Sequence, residues 1–348
     1  MKKTLLLLFM LSFLKAEEMQ QRIRMLMGTY VTVTLPASKT TFISSIFEHI
    51  AQIEHSLSTY DTDAVLYNLN QHHKVPYDAH LAEALRLSKQ YYAETGGYFD
   101  VTIGSVTKGL YHFGEQKTYS PSSAQLQKAL RNIKGIHIGK EELRSDEGIV
   151  IDLGGIGKGF SADKAAVYLL EHNVTRGIIA LSGDIRCLGS CEIALQSPFS
   201  EQAFALVRSK VSDLSVSTSG TYRRYAAKKS EHHLINPKTA SQGKAFISVS
   251  LFTRAHNAKI DAYATAVSVM PKQKALDFLK THKEIGFIVI DSEGRIYYGN
   301  LKGLLEVKWL SYKEKATMPS SSRNKKTNST KATILTHPDT TSPVDMSR

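Results

Sequence analysis

Two hydrophobic patterns follow one another along the chain and predict a protein of mixed α and β structure. Tyr30–Leu35, with the sequence YVTVTL, alternates apolar and polar residues, which predicts a half-buried strand. Ser38–Leu57 instead carries apolar residues three and four positions apart, which predicts an amphipathic helix. Ala79–Thr95 predicts a second helix, because Gly96 and Gly97 follow as the expected stop.

The rest of the chain continues this mixture without a fixed-period repeat. A third helix is predicted from Ser120 onward, with Leu126, Leu130 and Ile133 on one face, and another helix over Asn257–Met270. The predicted strands are Gly148–Asp152, Gly177–Leu181, Ala203–Ser209, Leu214–Ser217, Ala245–Thr253 and the two arms of a hairpin, GFIVIDSEGRIYYGN. Because helices and strands are interspersed without a regular β-α-β-α order, the predicted class is α+β rather than a doubly wound sheet.

The charge of the chain is concentrated at its ends. The net charge is +12 over 348 residues, but the first sixteen residues hold three lysines, and residues 313–348 hold seven basic and three acidic residues. A net charge of +5 therefore remains in between, which suits an anionic small molecule as well as DNA. No stretch interleaves basic residues with aromatic ones, so we expect no nucleic-acid partner.

The N-terminus has the three-part pattern of a signal peptide. Two lysines precede a short apolar run, and Ala16 offers a cleavage site, in the sequence MKKTLLLLFMLSFLKAEE. Residues 1–16 therefore predict export, with the periplasm as the expected compartment. An uncut segment would instead leave the protein attached to the inner membrane.

The C-terminal residues 313–348 are rich in Ser, Thr, Lys and Pro and almost free of large apolar residues, which predicts a disordered basic tail. The tail would be a solvated appendage or a weak electrostatic hold on an anionic membrane surface. Residues 17–312 are left as the one folded domain.

Cys187 and Cys191 are the only cysteines, and Gly189-Ser190 between them suggests a hairpin tip. Opposed across such a tip, the thiols could form a disulfide in an oxidising compartment. Two half-buried thiols fit the pattern equally well.

A glycine-rich turn stands out at Val150–Ala165, VIDLGGIGKGFSADKA. It has neither the spacing of a dinucleotide fingerprint nor that of a P-loop, because Gly159 follows Lys158 where Ser or Thr belongs. Glycines before a helix still allow the backbone to approach a phosphate. A tight structural crossover, with Asp152 as a cap, is the alternative.

Two further segments carry candidate chemistry. Asp261 and Thr265 lie four residues apart in a predicted helix, so both oxygens share one face and would suit Mg²⁺. His233 stands before an Asn-Pro turn and is a candidate general base. Each of these features, taken alone, is more often structural.

Taken together, the motifs resemble the ApbE family, the FAD:protein FMN transferases, from about Met25 to Leu310. The eight motifs are MLMGTYVTVTL, STYDTDAVLYNLN, GGYFDVTIGSV, IDLGGIGKGFSADKA, ALSGDIRCLG, SVSTSGTYRRY, HHLINPKTA and DAYATAVSVM. The resemblance implies an α+β fold of its own type, with mixed or antiparallel sheets flanked by helices. It also implies an Mg²⁺-dependent enzyme that moves FMN from FAD onto a Ser or Thr hydroxyl of a target protein and releases AMP.

The resemblance assigns roles by position. Gly155, through its carbonyl, would bind Mg²⁺ beside Asp261 and Thr265, and His233 would be the base. The residues that would contact FAD are Met27, Tyr60, Tyr98, Phe99, Asp100, Asp152, Lys158 and Ile235. The chain departs from many relatives at Ala264, where some have a third side-chain oxygen for the metal, and at Asn236, where many have Asp.

Two other functions stay open. A FAD pyrophosphatase would use the same metal and pocket, with water in place of the protein hydroxyl. An exported flavin-binding protein without turnover would need the pocket alone. The joint presence of Asp261, Thr265 and His233 argues against this second alternative.

Overall fold

The computed structural model describes residues 17–222, 224–228 and 230–310, together with the backbone of Val344–Asp345. The predicted signal peptide, residues 1–16, lies outside this part, as does the predicted disordered tail, residues 313–348, apart from Val344–Asp345. Both stay predictions. Of the helices that the structure describes, none combines the length and the apolarity needed to cross a membrane.

Helices and strands are interspersed along the described chain. The helices are α1 (Phe42–Leu57), α2 (Val65–His72), α3 (Ala79–Glu94), α4 (Gly104–Thr107), α5 (Ser123–Lys128), α6 (Gly157–Glu171), α7 (Asn257–Val269) and α8 (Lys272–Thr281). Short 3₁₀ turns occupy Ala37–Lys39, Val101–Ile103 and Ile133–Gly135. The strands are β1 (Met19–Leu26), β2 (Thr29–Pro36), β3 (Lys74–Pro76), β4 (Ile136–Ile138), β5 (Glu142–Ser145), β6 (Gly177–Leu181), β7 (Asp184–Leu188), β8 (Glu192–Gln196), β9 (Ala203–Ser209), β10 (Asp213–Gly220), β11 (Ile235–Asn236), β12 (Ser241–Gln242), β13 (Phe246–Arg254), β14 (Gly286–Asp291), β15 (Ile296–Gly299), β16 (Leu305–Trp309) and β17 (Val344–Asp345).

One large sheet organises the fold. Its order is β1-β2-β6-β7-β10-β13-β14-β15-β17, and every neighbouring pair is antiparallel except β15 and β17. Smaller sheets have the orders β16-β9-β8, β3-β5-β4 and β11-β12. The predicted α+β class with antiparallel sheets flanked by helices is confirmed.

The large sheet is covered on both faces, and β14 shows why its strands are apolar throughout. Phe287 and Val289 point into the core formed with α3 and α7, whereas Ile288 and Ile290 point into the core shared with β8, β9 and β16. Alternate residues thus serve two different cores, so the strand reads as a continuous apolar run. Helices α1 and α6 cover the same sheet at β2 and β6.

The predicted strand Gly148–Asp152 is wrong, although its sequence is apolar. The segment lies outside every strand because its backbone groups bind elsewhere. Asn70 exchanges two hydrogen bonds with the backbone of Ile151, at 2.8 and 2.9 Å, and Val150 N–H donates to Ser105 Oγ at 3.1 Å. Side chains therefore satisfy the groups that a neighbouring strand would otherwise pair.

The helix predicted from Ser120 is shorter than its apolar pattern suggests. It covers only Ser123–Lys128, where the side chains of Ser122 and Gln125 form a capping box. Ala129 is extended and ends the helix, and Leu130 is exposed. The apolar spacing beyond Lys128 therefore does not reflect a helical face.

Cys187 and Cys191 form a disulfide, with their Cα atoms 6.3 Å apart. The predicted hairpin between them is wrong, because β7 belongs to the large sheet and β8 to the three-stranded sheet. Gly189 turns the chain between the two sheets with a φ of +79°. The bond thus ties two layers of the fold together.

Candidate active site

The glycine-rich turn leads directly into α6, and Asp152 organises its first residues. Gly154 N–H donates to Asp152 Oδ1 at 2.9 Å, and Thr107 Oγ1 donates to Asp152 Oδ2 at 2.6 Å. Burial would raise the pKa of Asp152, but the charge of Lys108 and these two hydrogen bonds outweigh it and lower that pKa. Asp152 therefore stays ionised beside the turn.

The glycines of the turn make room for α7 rather than for a left-handed backbone, since none of them has a positive φ. A Cβ on Gly155 would lie 2.8 Å from Thr265 Oγ1, and a Cβ on Gly159 would lie 2.7 Å from the carbonyl oxygen of Asn257. Both distances are shorter than a Cβ tolerates. Two of the glycines are thus explained by the crossing of α6 and α7.

The start of α7 is fixed by buried polar contacts. Asp163 on α6 accepts hydrogen bonds from the backbone N–H groups of Asn257 and Ala258, at 2.8 and 2.9 Å. The side-chain amide of Asn257 donates to the carbonyls of Ile185 and Val216, on β7 and β10. These contacts hold α7 against both α6 and the sheet, and they set the position of Asp261 and Thr265.

Lys158 lies between two buried carboxylates. Its Nζ is 2.5 Å from Asp184 Oδ2 and 3.7 Å from Asp261 Oδ2. Asp184 also accepts from Ser217 Oγ at 2.6 Å, and Asp261 accepts from Gly159 N–H at 3.0 Å. The sequence-predicted pair of Lys158 and Asp261 is therefore brought together, with Asp184 as an unforeseen third member.

Lys158, Asp184 and Asp261 are close enough for their charges to shift pKa values within the group. Burial alone would lower the pKa of Lys158, but Asp184 and Asp261 outweigh it and raise that pKa. Burial, followed by the nearby charge of Asp184, raises the pKa of Asp261. A buried carboxylate that ionises reluctantly is a place where an additional cation would be stabilised.

The predicted metal ligands Gly155, Asp261 and Thr265 meet at this point. Gly155 faces Thr265, and Asp261 lies one helical turn before it on α7. Within the described ranges no three His, Cys, Asp or Glu residues form a metal-binding group, so this set depends on a carbonyl and a hydroxyl besides its carboxylate. A donor set made only of oxygen atoms fits Mg²⁺.

His233 is held in one tautomer by Arg224. The carbonyl oxygen of Arg224 accepts from the backbone N–H of His233 at 3.2 Å and from its Nδ1 at 3.1 Å. Because a carbonyl oxygen can only accept, Nδ1 carries the proton and Nε2 keeps its lone pair. Burial of the ring, with the charges of Arg224 and Lys158, lowers the pKa of His233 to about 4. The ring is therefore a neutral base at physiological pH.

His232 faces away from this group. Its side chain is buried, and its Nε2 lies 2.9 Å from the carbonyl oxygen of Gly243. That contact makes His232 part of the packing between the segment before β11 and the segment after β12.

Met27 and Phe99 contact the glycine turn from two sides. Met27 forms the tip of the β1–β2 hairpin with a φ of +55°, and its Cε would lie 3.5 Å from a Cβ on Gly157. Phe99 Cε2 would lie 3.3 Å from a Cβ on Gly155. These two predicted pocket residues are therefore brought to the candidate site.

Tyr60 is connected to the site by Lys108, which contacts the ring of Tyr60 and also acts on Asp152. Its hydroxyl donates to the carbonyl of Phe113 at 3.0 Å, and Lys108 Nζ lies 3.8 Å from its ring centroid. The same lysine supplies positive charge to Asp152. Tyr98 is buried, and the ammonium groups of Lys238 and Lys274 each lie 4.8 Å from the centroid of its ring.

Asp100 and Ile235 are engaged by the protein itself. The buried Asp100 carboxylate accepts from the N–H and Oγ1 of Thr102, at 2.9 and 2.6 Å, and so caps a 3₁₀ turn. Ile235 packs in a small satellite cluster with Val106, Tyr111 and Phe113. Their contact with FAD stays a prediction.

Two surface depressions, of about 310 and 510 Å³, are lined by residues other than the predicted FAD contacts.

Sequence reasoning missed Asp184, Ser217, Lys108 and Arg224. Asp184 and Arg224 lie within motifs that carry the family resemblance, ALSGDIRCLG and SVSTSGTYRRY, and that membership was the available signal. Their roles depend on contacts with residues far away along the chain, which spacing does not reveal.

Comparison with known proteins identifies the family of this chain. The sequence model of the ApbE family matches residues 27–289. A relative from Treponema pallidum, named FAD:protein FMN transferase, is 27% identical in an alignment of length 285 that covers 73% of this chain and 78% of the relative. A relative of the same name from Klebsiella pneumoniae is 25% identical over 62% of this chain and 71% of its own length.

Solved structures support the same fold. The ApbE protein of Thermotoga maritima superposes with a TM-score of 0.73 at 22% identity, over 81% of this chain and 97% of that one. The flavin transferase ApbE of Vibrio cholerae superposes with a TM-score of 0.70 at 23% identity and the same coverage. With the family model matching well over half of the residues, this chain belongs to the ApbE family.

Proposed function

We propose that this protein is an FAD:protein FMN transferase. FAD and a target protein would be its substrates, and the hydroxyl of a Ser or Thr side chain on the target would receive FMN. The hydroxyl oxygen attacks the phosphorus of the FMN half, the bond to the bridging oxygen breaks, and AMP leaves. The names of the curated relatives support the transfer of FMN from FAD to protein.

The group around the glycine turn supports the binding of a diphosphate. Lys158 is partly exposed and fixed by Asp184, so its ammonium group is a preset positive charge for phosphate oxygens. The ligand set of Gly155, Asp261 and Thr265 supports Mg²⁺, which would neutralise phosphate charge and stabilise the leaving AMP. Holding the reacting groups in line can lower the barrier by about 7–11 kcal/mol.

The geometry of His233 supports a role as general base. The carbonyl oxygen of Arg224 accepts the hydrogen bond from Nδ1 of His233. Nε2 therefore keeps its lone pair and can take the hydroxyl proton as the new oxygen–phosphorus bond forms. The low pKa keeps the ring unprotonated. A positioned base contributes roughly 10²–10⁴-fold to such a step.

The single observation that carries the proposal is the contact between Gly155 and Thr265. It brings the glycine turn next to the oxygen donors of α7.

The proposed function is tested by incubating the protein with FAD, Mg²⁺ and a candidate acceptor. The acceptor is then examined by mass spectrometry, and AMP is measured by chromatography. We expect the acceptor to gain FMN less one water, with one AMP per transfer. AMP and free FMN without acceptor labelling would identify a FAD pyrophosphatase, and FAD binding with no AMP a flavin-binding protein.

We further propose that the protein acts outside the cytoplasm, in the periplasm. The support is the N-terminal pattern of residues 1–16. N-terminal sequencing of the native protein tests it, with Glu17 as the expected first residue. A retained Met1 in the membrane fraction would indicate an anchor instead, and a cytoplasmic protein would contradict export.

A further inference from the structure

The segment that carries His233 is a small hairpin. Tyr225 and His232 form an antiparallel bridge, and Ala226 N–H donates to the carbonyl of Glu231 at 3.0 Å. His233 N–H donates to the carbonyl of Arg224, one step farther along both arms. Arg224 and His233 are thus directly opposite residues of an antiparallel pair, and such residues project from the same face.

The guanidinium of Arg224 lies near residues from three separate segments. Its positive charge helps to lower the pKa values of Asp152 and His233, and it opposes the rise in the pKa of Lys158. Those residues stand before the glycine turn, at the start of α6 and on the hairpin itself. The charge of the Arg224 side chain is therefore within electrostatic reach of all three segments.

Among the described cations of this group, Arg224 differs in that its charged side chain has no protein partner. Lys158 is held by Asp184, and Lys108 contacts the hydroxyl of Tyr60 and the carbonyl of Phe113. Arg224 is exposed, and its guanidinium has no ion-pair partner among the residues described here. A free guanidinium offers two parallel donors that match phosphate oxygens.

We propose that Arg224 binds the diphosphate of FAD through its guanidinium, on the same face of the hairpin as His233, while its backbone carbonyl holds His233 in the tautomer of a base. This inference rests on the proposed function, because it takes FAD as the substrate. It assigns two tasks to one residue: the backbone carbonyl sets the tautomer of His233, and the side chain contacts the phosphates. Substitution of the side chain leaves the carbonyl in place, so the two tasks are separable.

The test compares Arg224→Ala and Arg224→Lys with a matched control, Lys228→Ala. Lys228 is an exposed cation at the turn of the same hairpin, so its loss changes the net charge equally. For each variant we measure the Kd of FAD by flavin fluorescence over a range of salt concentrations, and kcat and KM for FMN transfer.

We expect Arg224→Ala to raise the Kd and KM for FAD roughly 10- to 100-fold, with kcat within about threefold because the carbonyl remains. The Kd and KM of Arg224→Lys for FAD should lie between those of Arg224→Ala and the parent, because lysine keeps the charge and loses the two parallel donors of the guanidinium. Lys228→Ala should match the parent, and Arg224→Ala should show a weaker salt dependence.

Parental FAD affinity in Arg224→Ala would overturn the inference, as would a loss of kcat at unchanged KM or an equal effect of Lys228→Ala. If Arg224→Ala fails to fold, Arg224→Gln replaces it with the same expected result. FAD binding without transfer in the parent would refute the proposed function while leaving the Kd comparison decisive. A parent that does not bind FAD would refute both.

Discussion

Gly155 and Thr265 face each other so closely that a single added methyl group would collide with the hydroxyl of Thr265. A Cβ on Gly155 would lie 2.8 Å from Thr265 Oγ1 and 3.2 Å from its Cγ2. The Thr265 hydroxyl, itself one of the proposed metal ligands, would have to move.

We therefore expect Gly155→Ala to weaken the affinity of the site for Mg²⁺ roughly 10- to 100-fold, measured as a higher Mg²⁺ concentration for half-maximal AMP release. Gly157→Ala is the matched control, because its Cβ would make only ordinary contacts, at 3.5 Å from Met27 Cε and 3.8 Å from Leu57 Cδ1. Equal Mg²⁺ dependence in both variants would remove Gly155 and Thr265 from the metal site.

Asp261 has a structural hydrogen bond besides its proposed role, which decides the choice of variant. Asp261→Asn keeps an oxygen for Gly159 N–H, so we expect the variant to fold and to bind FAD, with AMP release abolished. Asp261→Ala leaves that buried N–H unpaired and should also lose about 1–3 kcal/mol of stability. Urea unfolding and AMP chromatography on both variants separate the two effects. Normal AMP release by Asp261→Asn at low Mg²⁺ would disprove the assignment.

The pH dependence of transfer follows from the environment of His233. Because its pKa is about 4, the base is already unprotonated near neutrality. At saturating Mg²⁺, which would keep Asp261 ionised, we expect kcat/KM for FAD to be flat between about pH 6 and 8 and to fall below about pH 5, rather than titrating near the 6.5 of free histidine. His233→Ala should lose at least about 10²-fold in rate and retain FAD binding.

His232→Ala is the control for this prediction. His232 is buried against the carbonyl of Gly243, so its loss should lower the free energy of unfolding without changing the rate per folded molecule. Parental transfer by a folded His233→Ala variant would place the base elsewhere.

The disulfide between Cys187 and Cys191 should stabilise the protein modestly. It closes a short loop with a sequence separation of four, for which chain entropy predicts about 2 kcal/mol. We expect dithiothreitol to lower the free energy of unfolding by about this amount, measured by urea titration. A Cys187→Ala/Cys191→Ala double variant should be equally destabilised and insensitive to the reductant. A reductant effect in the double variant would mean that another process is responsible.

Local patterns were sufficient where function depends on local spacing. Asp261 and Thr265 share a helical face because four residues make about one turn, and the structure places them together. The alternating Tyr30–Leu35 and the stop at Gly96 were equally local, and both were correct. His233 was singled out by its position before a turn, and its proton arrangement required the structure.

Patterns failed where distant groups decide the outcome. The apolar run after Gly148 looks like a strand, but Asn70 and Ser105 take its backbone hydrogen bonds. Spacing also did not reveal that Gly159 has a packing role, because the backbone of Asn257 lies too close for a Cβ there. Asp184 lies on β7 and Lys158 on α6, and only the folded sheet brings them together.

The crossing of α6 and α7 at Gly159 has a consequence for how variants of this protein are judged. The carboxylate of Asp261 closes that crossing and also lies among the proposed metal ligands. Stability and the proposed turnover therefore depend on one carboxylate, and selection on either trait constrains the other. A genetic screen scored by growth would register both kinds of defect at this position as one phenotype, so expression level must be scored beside activity.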